Sequence, residues 1–574
     1  MKITIFFQNF VLSRPLSQPK SCIRVLPLFT SMASINQAVC IRKRPAVACK
    51  WHAGEYSSAT APVTRSVRTR RTVATPAKYE ADNLHGWPPP LTVEEPLWAR
   101  KAFDGDASPK LPWADTIVHT LVRNGHLPSN SQKKLRLQLW SDCSGINAEK
   151  FSWNELQDAI NRIIGADVSL ALYFTCESDP KSIVFVKENH QPQHVGNDMS
   201  QRNFESGKFW CILHEENIPM PQAGVDLYVG TYPCSPWSRR GPRNGWDHPS
   251  VEPMCIGLQT ISYIQPAVWI IELGELPEHA ALDEIVSGIQ HKLAADGRQY
   301  TIQTVRGLGP HMQGYPIKRS RTFFIGWRVD VCPDAEMATG PLHTLILHPV
   351  DVASTYRGFL NISLPYDWSG VGEFYVGDAM HYMAGNACCC TCNPHALCPV
   401  HVCKCGSCGD DGLHCAWRSH LQKFLEKQNL LSLAKTMDGK MTYVHALEMQ
   451  GGVAPAQPRS RIILNIAAMI PQSHPLQDTL MLVDKSQNVG FGSWATDGMA
   501  PTLTTNSQFW CLAAGRELGA RELAVLMGFD THNMVLKSQT EAWFRKRLGL
   551  TVHVANFGLV LAAAMALPLQ ACLA

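Results

Sequence analysis

Asp and Glu are missing from the first 54 residues, and the absence is local. Residues 1–80 hold thirteen Lys or Arg against two acids, Glu55 and Glu80, a balance of +11. The whole chain carries +4, so residues 81–574 sum to −7. A body without excess positive charge excludes nucleic-acid binding by bulk electrostatics and requires a local basic patch for any such contact. The chain also lacks an uninterrupted apolar run of about 18–20 residues. Its most apolar stretch, "FGLVLAAAMALPLQACLA", is broken by Pro568 and Gln570, which predicts a buried helix and no membrane partner. No repeat of solenoid length is present. Evenly spaced cysteines are missing too: nine of the twenty lie between Cys388 and Cys415, which points away from a disulfide scaffold and toward a metal site in a reducing compartment.

What is present fits a globular body of two or three domains, with 574 residues at 45% hydrophobic content. The leader, residues 1–85, is rich in Arg, Ser, Ala and Thr, as in "TRSVRTRRTVATPAK". It suits an organelle transit segment, with Met32 as a second start, and equally a basic arm or a disordered segment; the expected location is the nucleus, or an organelle if the leader is a transit peptide. Residues 86–134 read as a linker or N-terminal extension. From residue 135 short apolar strands alternate with amphipathic helices: "LRLQLWSD", "NELQDAINRII", "LALYFTCESD", "KSIVFVKENH", "VDLYVGTY", and so on to "RTFFIGWRV". That rhythm predicts an α/β, Rossmann-like fold with a mostly parallel sheet covered on both faces, and ligands at the carboxyl ends of its strands. The rhythm breaks over 331–495 and returns over 496–574, as expected of a module inserted into a domain that spans 135–330 and the C-terminal part.

Three strand ends carry chemistry. "YPCSPWS" fixes Cys234 between Pro233 and Pro236, "WIIELGEL" ends on Glu272, and "YPIKRSRTFFIG" places Arg319 and Arg321 ahead of a strand. A thiolate, a carboxyl group and guanidinium groups at one sheet edge can attack an electron-poor ring. Taken singly, each has a plain structural reading: a packed cysteine, an exposed strand-end acid, a solvated "KRSR" run.

Together, in this order, they resemble the C5-cytosine methyltransferases. "YPCSPWS" is similar to that family's Pro-Cys nucleophile loop, "WIIELGEL" to its Glu-Asn-Val strand end and "YPIKRSRTFFIG" to its Gln-x-Arg-x-Arg segment. "APTLTT", "RELAVLMGFD" and "HVANFGLVLAAAMA" resemble its late elements. The resemblance implies that Cys234 adds to C6 of cytosine, that Glu272 binds N3 and the exocyclic amine, and that Arg321, with Arg319, holds the base carbonyl. It further implies S-adenosylmethionine as methyl donor. "LWSDCSGI" resembles the family's first motif and would bring Trp140, Ser141, Cys143 and Gly145 to that cofactor, although Asp142 and Ser144 stand where glycines are usual. The resemblance adds Glu177 for the ribose, Asp198 near the adenine amino group and Asn556 of the last motif. Leu273 and Ile317 replace the family's Asn and Gln, and Ala555 precedes Asn556. The implied polymer is DNA, with RNA as the alternative; a degenerate methyltransferase fold kept as a nucleic-acid-binding scaffold is the third reading.

Within the insert, the segment 388–415 contains Cys398-x-x-His401 and Cys405-x-x-Cys408, with Cys392, Cys403 and Cys415 nearby. Ligands two residues apart suit tetrahedral zinc, whose count and pairing the spacing leaves open; unmetallated thiols or oxidised pairs are the alternative. By resemblance the insert occupies the position of the target-recognition region.

Overall fold

The computed structural model describes residues 111–222, 224–238, 241–276, 280–295, 299–331, 335–347, 365, 415–427, 442–469, 482–487, 494–495 and 499–574. The leader and nearly all of the 388–415 cluster lie outside these residues: Cys392, Cys398, His401, Cys403, Cys405 and Cys408 are not among them. Cys415 starts a helix, Cys415–Lys427, but its side chain is outside the description.

A seven-stranded sheet organises the described residues. Its strands are β1 (Lys134–Asp142), β2 (Asp167–Cys176), β3 (His194–Gly196), β4 (Leu227–Thr231), β5 (Val268–Gly274), β6 (Tyr300–Leu308) and β7 (Arg321–Arg328), in the spatial order β3-β2-β1-β4-β5-β7-β6. The pairings from β3 through β5 are parallel, while β7 runs antiparallel to both neighbours. This is the α/β, Rossmann-like arrangement expected from the alternating pattern, with one reversed strand near its edge.

Helices α2 (Ala148–Ile164), α3 (Pro180–His190), α4 (Glu252–Ile264) and α5 (Ala280–Ala295) join successive strands as crossovers. Local chemistry sets their ends. The Asp179 carboxylate accepts from Ser182 N–H at 3.0 Å and caps α3, with Pro180 in the first turn where no amide hydrogen is needed. Gly165, at φ +77°, closes α2 in the left-handed region that glycine tolerates best.

Side chains alternate across the strands and divide the core in two. Leu139, Val229, Ile270 and Ile325 face one apolar cluster, and Tyr228, Trp269, Ile271 and Phe324 face the other. The first cluster also takes α1 (Trp113–Arg123), so the stretch read as linker or extension contributes a core helix, and Leu342, Leu345 and Ile346 of α6 (Ala335–Leu347). Two C-terminal helices follow, α7 (Ala520–Leu526) and α8 (Glu541–Leu550), and then α9 (Val554–Leu573). Helix α9 is long and apolar enough to cross a membrane by composition, yet every side chain from Val554 to Ala566 is buried, and it packs on α1, α2 and α6. It is a core helix, as the interrupting Pro568 and Gln570 predict.

Candidate active site

Adjacent strands bring the three chemical groups together. Thr231, the last residue of β4, lies beside Glu272 of β5, and Cys234 follows three residues later. On the other side of β5, antiparallel β7 starts at Arg321, opposite Gly274. Arg321 Nε lies 2.8 Å from Glu272 Oε1 in a partly shielded ion pair. The Cys234 carbonyl accepts from the amides of Trp237 (3.1 Å) and Ser238 (2.8 Å), so the loop turns immediately after the thiol. Its apolar anchor is Trp237, buried and edge-on to Trp246 at 5.4 Å. Gly274 occupies the third position of the strand-end motif, where the family carries Val. A Cβ there would come within 2.8 Å of Cys234 Sγ, so glycine leaves the thiol its space; the sequence reading missed this role.

One cavity, about 780 Å³, is lined by Cys234, Glu272, Gly274 and Arg321 at one end and by Cys143, Ser144, Gly145, Glu177 and Asp198 at the other. It opens at the carboxyl ends of the parallel strands, where the strand order reverses between β1 and β4, the position at which such sheets bind ligands. Its second wall follows from register. Asp142 of β1, Cys176 of β2 and Gly196 of β3 sit side by side, so the residues after each of them meet. Cys143 and Gly145 adopt positive φ (53° and 56°), and the Gly145 amide donates to Glu177 Oε2 at 2.8 Å. Asp198 turns back on its own chain, accepting from Ser200 N–H at 2.8 Å.

Four residues expected at the site are placed elsewhere among the described residues. Trp140 is fully buried beneath the turn, 4.2 Å from Phe174 between ring centroids, and Ser141 donates to the Glu149 carboxylate. Asn556 is buried and donates to the Leu308 carbonyl at 3.1 Å, off the cavity lining. Arg319 also lies off the lining, with its guanidinium engaged by the carbonyls of Leu503 (2.6 Å), Gly549 (3.2 Å) and Thr551. It pins the cavity wall from Gly549 to Val552 to the start of β7 and is a positioning residue.

The departures from the motifs are absorbed by packing. Leu273 points to the face opposite Glu272 and is fully buried in the second cluster. Ile317 is fully buried in the first, and its segment is tied to the "APTLTT" segment by main-chain bonds, Lys318 N–H to Ala500 O (2.9 Å) and Ala500 N–H to Pro316 O (2.6 Å), and by the Thr502 hydroxyl, which donates to the Lys318 carbonyl at 2.6 Å. Asp142 turns away from the cavity into a buried ion pair with Arg202, and the Ser144 hydroxyl lies 2.7 Å from Thr175 Oγ1.

Electrostatics separate the thiols and acids near the cavity. Burial and the neighbouring Asp142 push the Cys143 thiol well up, and burial pushes Cys176 up to about 12, so both stay protonated. Burial also raises Glu272, against the pull of Arg321 and Arg319, which favours a carboxyl group that can hold a proton.

Glu149, a buried cavity residue that the sequence reading did not single out, is raised by burial to about 7 against an ordinary 4.5. An acid whose folded pKa is raised keeps its proton while the unfolded chain ionises. Stability therefore falls as pH rises from about 4.5 to about 7, by up to about 3 kcal/mol. Glu149→Gln should accordingly melt higher than the wild type at pH 8 and show little difference at pH 5. Equal differences at the two pH values would rule the assignment out.

Residues 159–344, the span that carries Glu177, Asp198, Cys234, Glu272, Arg319 and Arg321, match the family described as C-5 cytosine-specific DNA methylase. No curated protein sequence matches the chain. Among solved structures, a prophage-encoded E. coli protein described as a candidate DNA modification methyltransferase aligns at TM-score 0.38 and 13% identity, covering 75% of this chain and 98% of its own. A Spodoptera frugiperda DNMT2 variant aligns at 0.35 and 12%, covering 75% and 99%, and S. pombe Dnmt2 at 0.32 and 14%, covering 75% and 98%. The matched span holds the Cys234 loop, the Glu272 strand end and the Arg319–Arg321 segment on adjacent strands, around one cavity, and it is this span that is similar to the C-5 cytosine-specific DNA methylase family.

Proposed function

We propose that the protein methylates C5 of cytosine in DNA through a covalent bond between Cys234 Sγ and C6 of a base taken out of the duplex. The observation that carries this reading is the single cavity with the thiol, Glu272 and Arg321 at one end and the Cys143–Gly145 turn, Glu177 and Asp198 at the other. The second wall suits S-adenosylmethionine. Positive-φ Cys143 and Gly145 turn the backbone at the cavity, no atom beyond the adjoining residues lies within 4 Å of where a Gly145 Cβ would stand, and two carboxylates offer acceptors for ribose hydroxyls and an adenine amino group. When bound, this cofactor supplies the methyl group that C5 accepts.

The chain's own residues prepare the base. The Cys234 thiolate forms the S–C6 bond, and the displaced electron pair makes C5 nucleophilic. Glu272 holds N3 and the exocyclic amine and shares a proton there as the ring loses aromaticity. Arg321 keeps the carboxyl group in position and is placed to hold the base carbonyl. After C5 is methylated, loss of the C5 proton and rupture of the S–C6 bond restore the ring and the thiolate. Extruding the base costs a few kcal/mol, which contacts in the cavity offset. The proposal includes zinc in the 388–415 segment as part of the polymer-contacting surface, on ligand spacing and position in the chain.

The test is transfer of labelled methyl from S-adenosylmethionine to cytosine-containing DNA and RNA by the full chain, together with trapping on 5-fluorocytosine DNA. Label on DNA and a denaturation-resistant adduct are expected. Label on RNA alone would overturn the choice of polymer, and label on neither would overturn the reaction.

A further inference from the structure

A second cluster of ligating side chains lies at the outer edge of the sheet, away from the cavity. His194 belongs to edge strand β3. Cys211 ends the middle strand of the small antiparallel sheet of 202–203, 208–211 and 216–219 that follows it, and His214 lies in the turn to the last of these strands. The ligand atoms of the three lie within 4.8 Å of one another. His214 Nδ1 is 3.3 Å from His194 Nδ1 and 3.2 Å from Cys211 Sγ.

Main chain holds the three in place. The Ile212 amide donates to the Val195 carbonyl at 2.8 Å and seats the turn on β3. Cys211 pairs with Glu216, closing that turn around His214, with Glu215 at φ +55°. The His194 ring packs edge-on against Tyr173 (5.0 Å) and Phe209 (5.7 Å).

Hydrogen bonding alone serves this cluster poorly. His214 Nδ1 has one in-plane site, either a lone pair or an N–H, and it faces both a thiol and another ring nitrogen. One cation satisfies all three atoms at once. Bond lengths of about 2.0–2.1 Å to nitrogen and 2.3 Å to sulfur in a tetrahedral site imply separations of about 3.3 Å between nitrogens and about 3.6 Å from nitrogen to sulfur. The two distances from His214 Nδ1, 3.3 Å to His194 Nδ1 and 3.2 Å to Cys211 Sγ, are close to these. The Val195 amide, 3.5 Å from Cys211 Sγ, is placed to donate to a metal-bound thiolate. His214 is exposed, so a cation can reach the cluster from solvent.

We propose that His194, Cys211 and His214 form a zinc site that fastens the small sheet to the edge strand. Two imidazoles and a thiolate select a borderline-soft cation such as Zn²⁺ over Mg²⁺ or Ca²⁺, which take oxygen ligands. The site lies four residues before Asp198 on the same strand and turn, so the metal would steady the Asn197–Met199 wall of the cavity. It is independent of the methyl-transfer chemistry and of the 388–415 segment, which the variants below leave intact.

Metal content and Co²⁺ spectra of the full chain test it, with wild type compared with His214→Ala and Cys211→Ser. The exposed His214→Ala substitution leaves folding intact, which circular dichroism verifies. Wild type should bind one more equivalent of Zn²⁺ than either variant, or hold that equivalent about 100-fold or more tightly. The Co²⁺ difference spectrum between wild type and variant should show thiolate charge transfer. Equal stoichiometry, affinity and Co²⁺ spectra in all three folded proteins would overturn the assignment.

Discussion

Replacing Cys234 by serine is expected to lower the turnover of methyl transfer by at least about 10⁴-fold and to abolish the 5-fluorocytosine adduct. A serine hydroxyl keeps the size of the thiol and the turn built on the residue 234 carbonyl, so the loop should stay intact. It is almost un-ionised at neutral pH, and without addition at C6 the ring never becomes nucleophilic at C5. The wall proposed for the cofactor is built from the ends of β1, β2 and β3, whereas Cys234 follows β4. Cofactor affinity measured by calorimetry should therefore change by less than about threefold. This split between turnover and affinity separates loss of the nucleophile from general damage. A variant that retained more than about one part in a hundred of the activity would show that the thiol does not carry the chemistry.

Why Cys234, Glu272 and Arg321 are legible in the sequence is a matter of strand ends. Each stands at or just beyond the terminus of a short apolar run, and in a sheet of this kind such termini meet at one edge. Glu177 and Asp198 come from the resemblance, and both line the cavity. Trp140 and Ser141 were misplaced because they precede the turn and still belong to β1, where successive side chains leave on opposite faces and neither reaches the cavity. Arg319 looks equivalent to Arg321 two residues away, yet it precedes the strand, and its partners are carbonyls at Leu503, Gly549 and Thr551 that nothing local announces. Glu149, a first-turn helix acid by sequence, owes its raised pKa to burial that only tertiary packing supplies. Cys211-x-x-His214 has the same spacing as Cys398-x-x-His401, but it stands alone in the sequence, and its third partner, His194, lies 17 residues upstream and joins it only when the small sheet folds onto β3.

Asp142 is where the resemblance and the structure predict opposite outcomes, and Asp142→Gly decides between them. Restoring the family's glycine should help the backbone approach a cofactor if residue 142 faced the cavity. It does not: its carboxylate is fully buried and is bound by both terminal nitrogens of Arg202, by Tyr228 Oη (2.6 Å) and by Trp140 Nε1 (3.2 Å). Arg202 also donates to Thr260 Oγ1 at 2.7 Å, and its guanidinium lies 5.3 Å from the Trp140 ring centroid and 5.2 Å from that of Phe174. Removing the carboxylate leaves a buried cation whose main counter-charge is gone, which costs about 3–5 kcal/mol, with a further cost for glycine in a strand. Because the Cys143–Gly145 turn hangs directly from this residue, Asp142→Gly should both lower the melting temperature and weaken S-adenosylmethionine binding. Arg202→Met should destabilise comparably, since it strands the carboxylate. The double substitution Asp142→Leu with Arg202→Met should recover most of the loss, because an apolar pair of similar volume removes both desolvation penalties together. A double-mutant cycle in urea measures this as a coupling energy of about 2 kcal/mol or more. If Asp142→Gly were as stable as the wild type and bound the cofactor more tightly, the ion pair would be dispensable and residue 142 would act at the cavity as the family pattern implies. The expected result instead makes Arg202, sixty residues downstream, the compensating partner that lets this turn keep a buried acid at residue 142, where the motif it resembles has glycine.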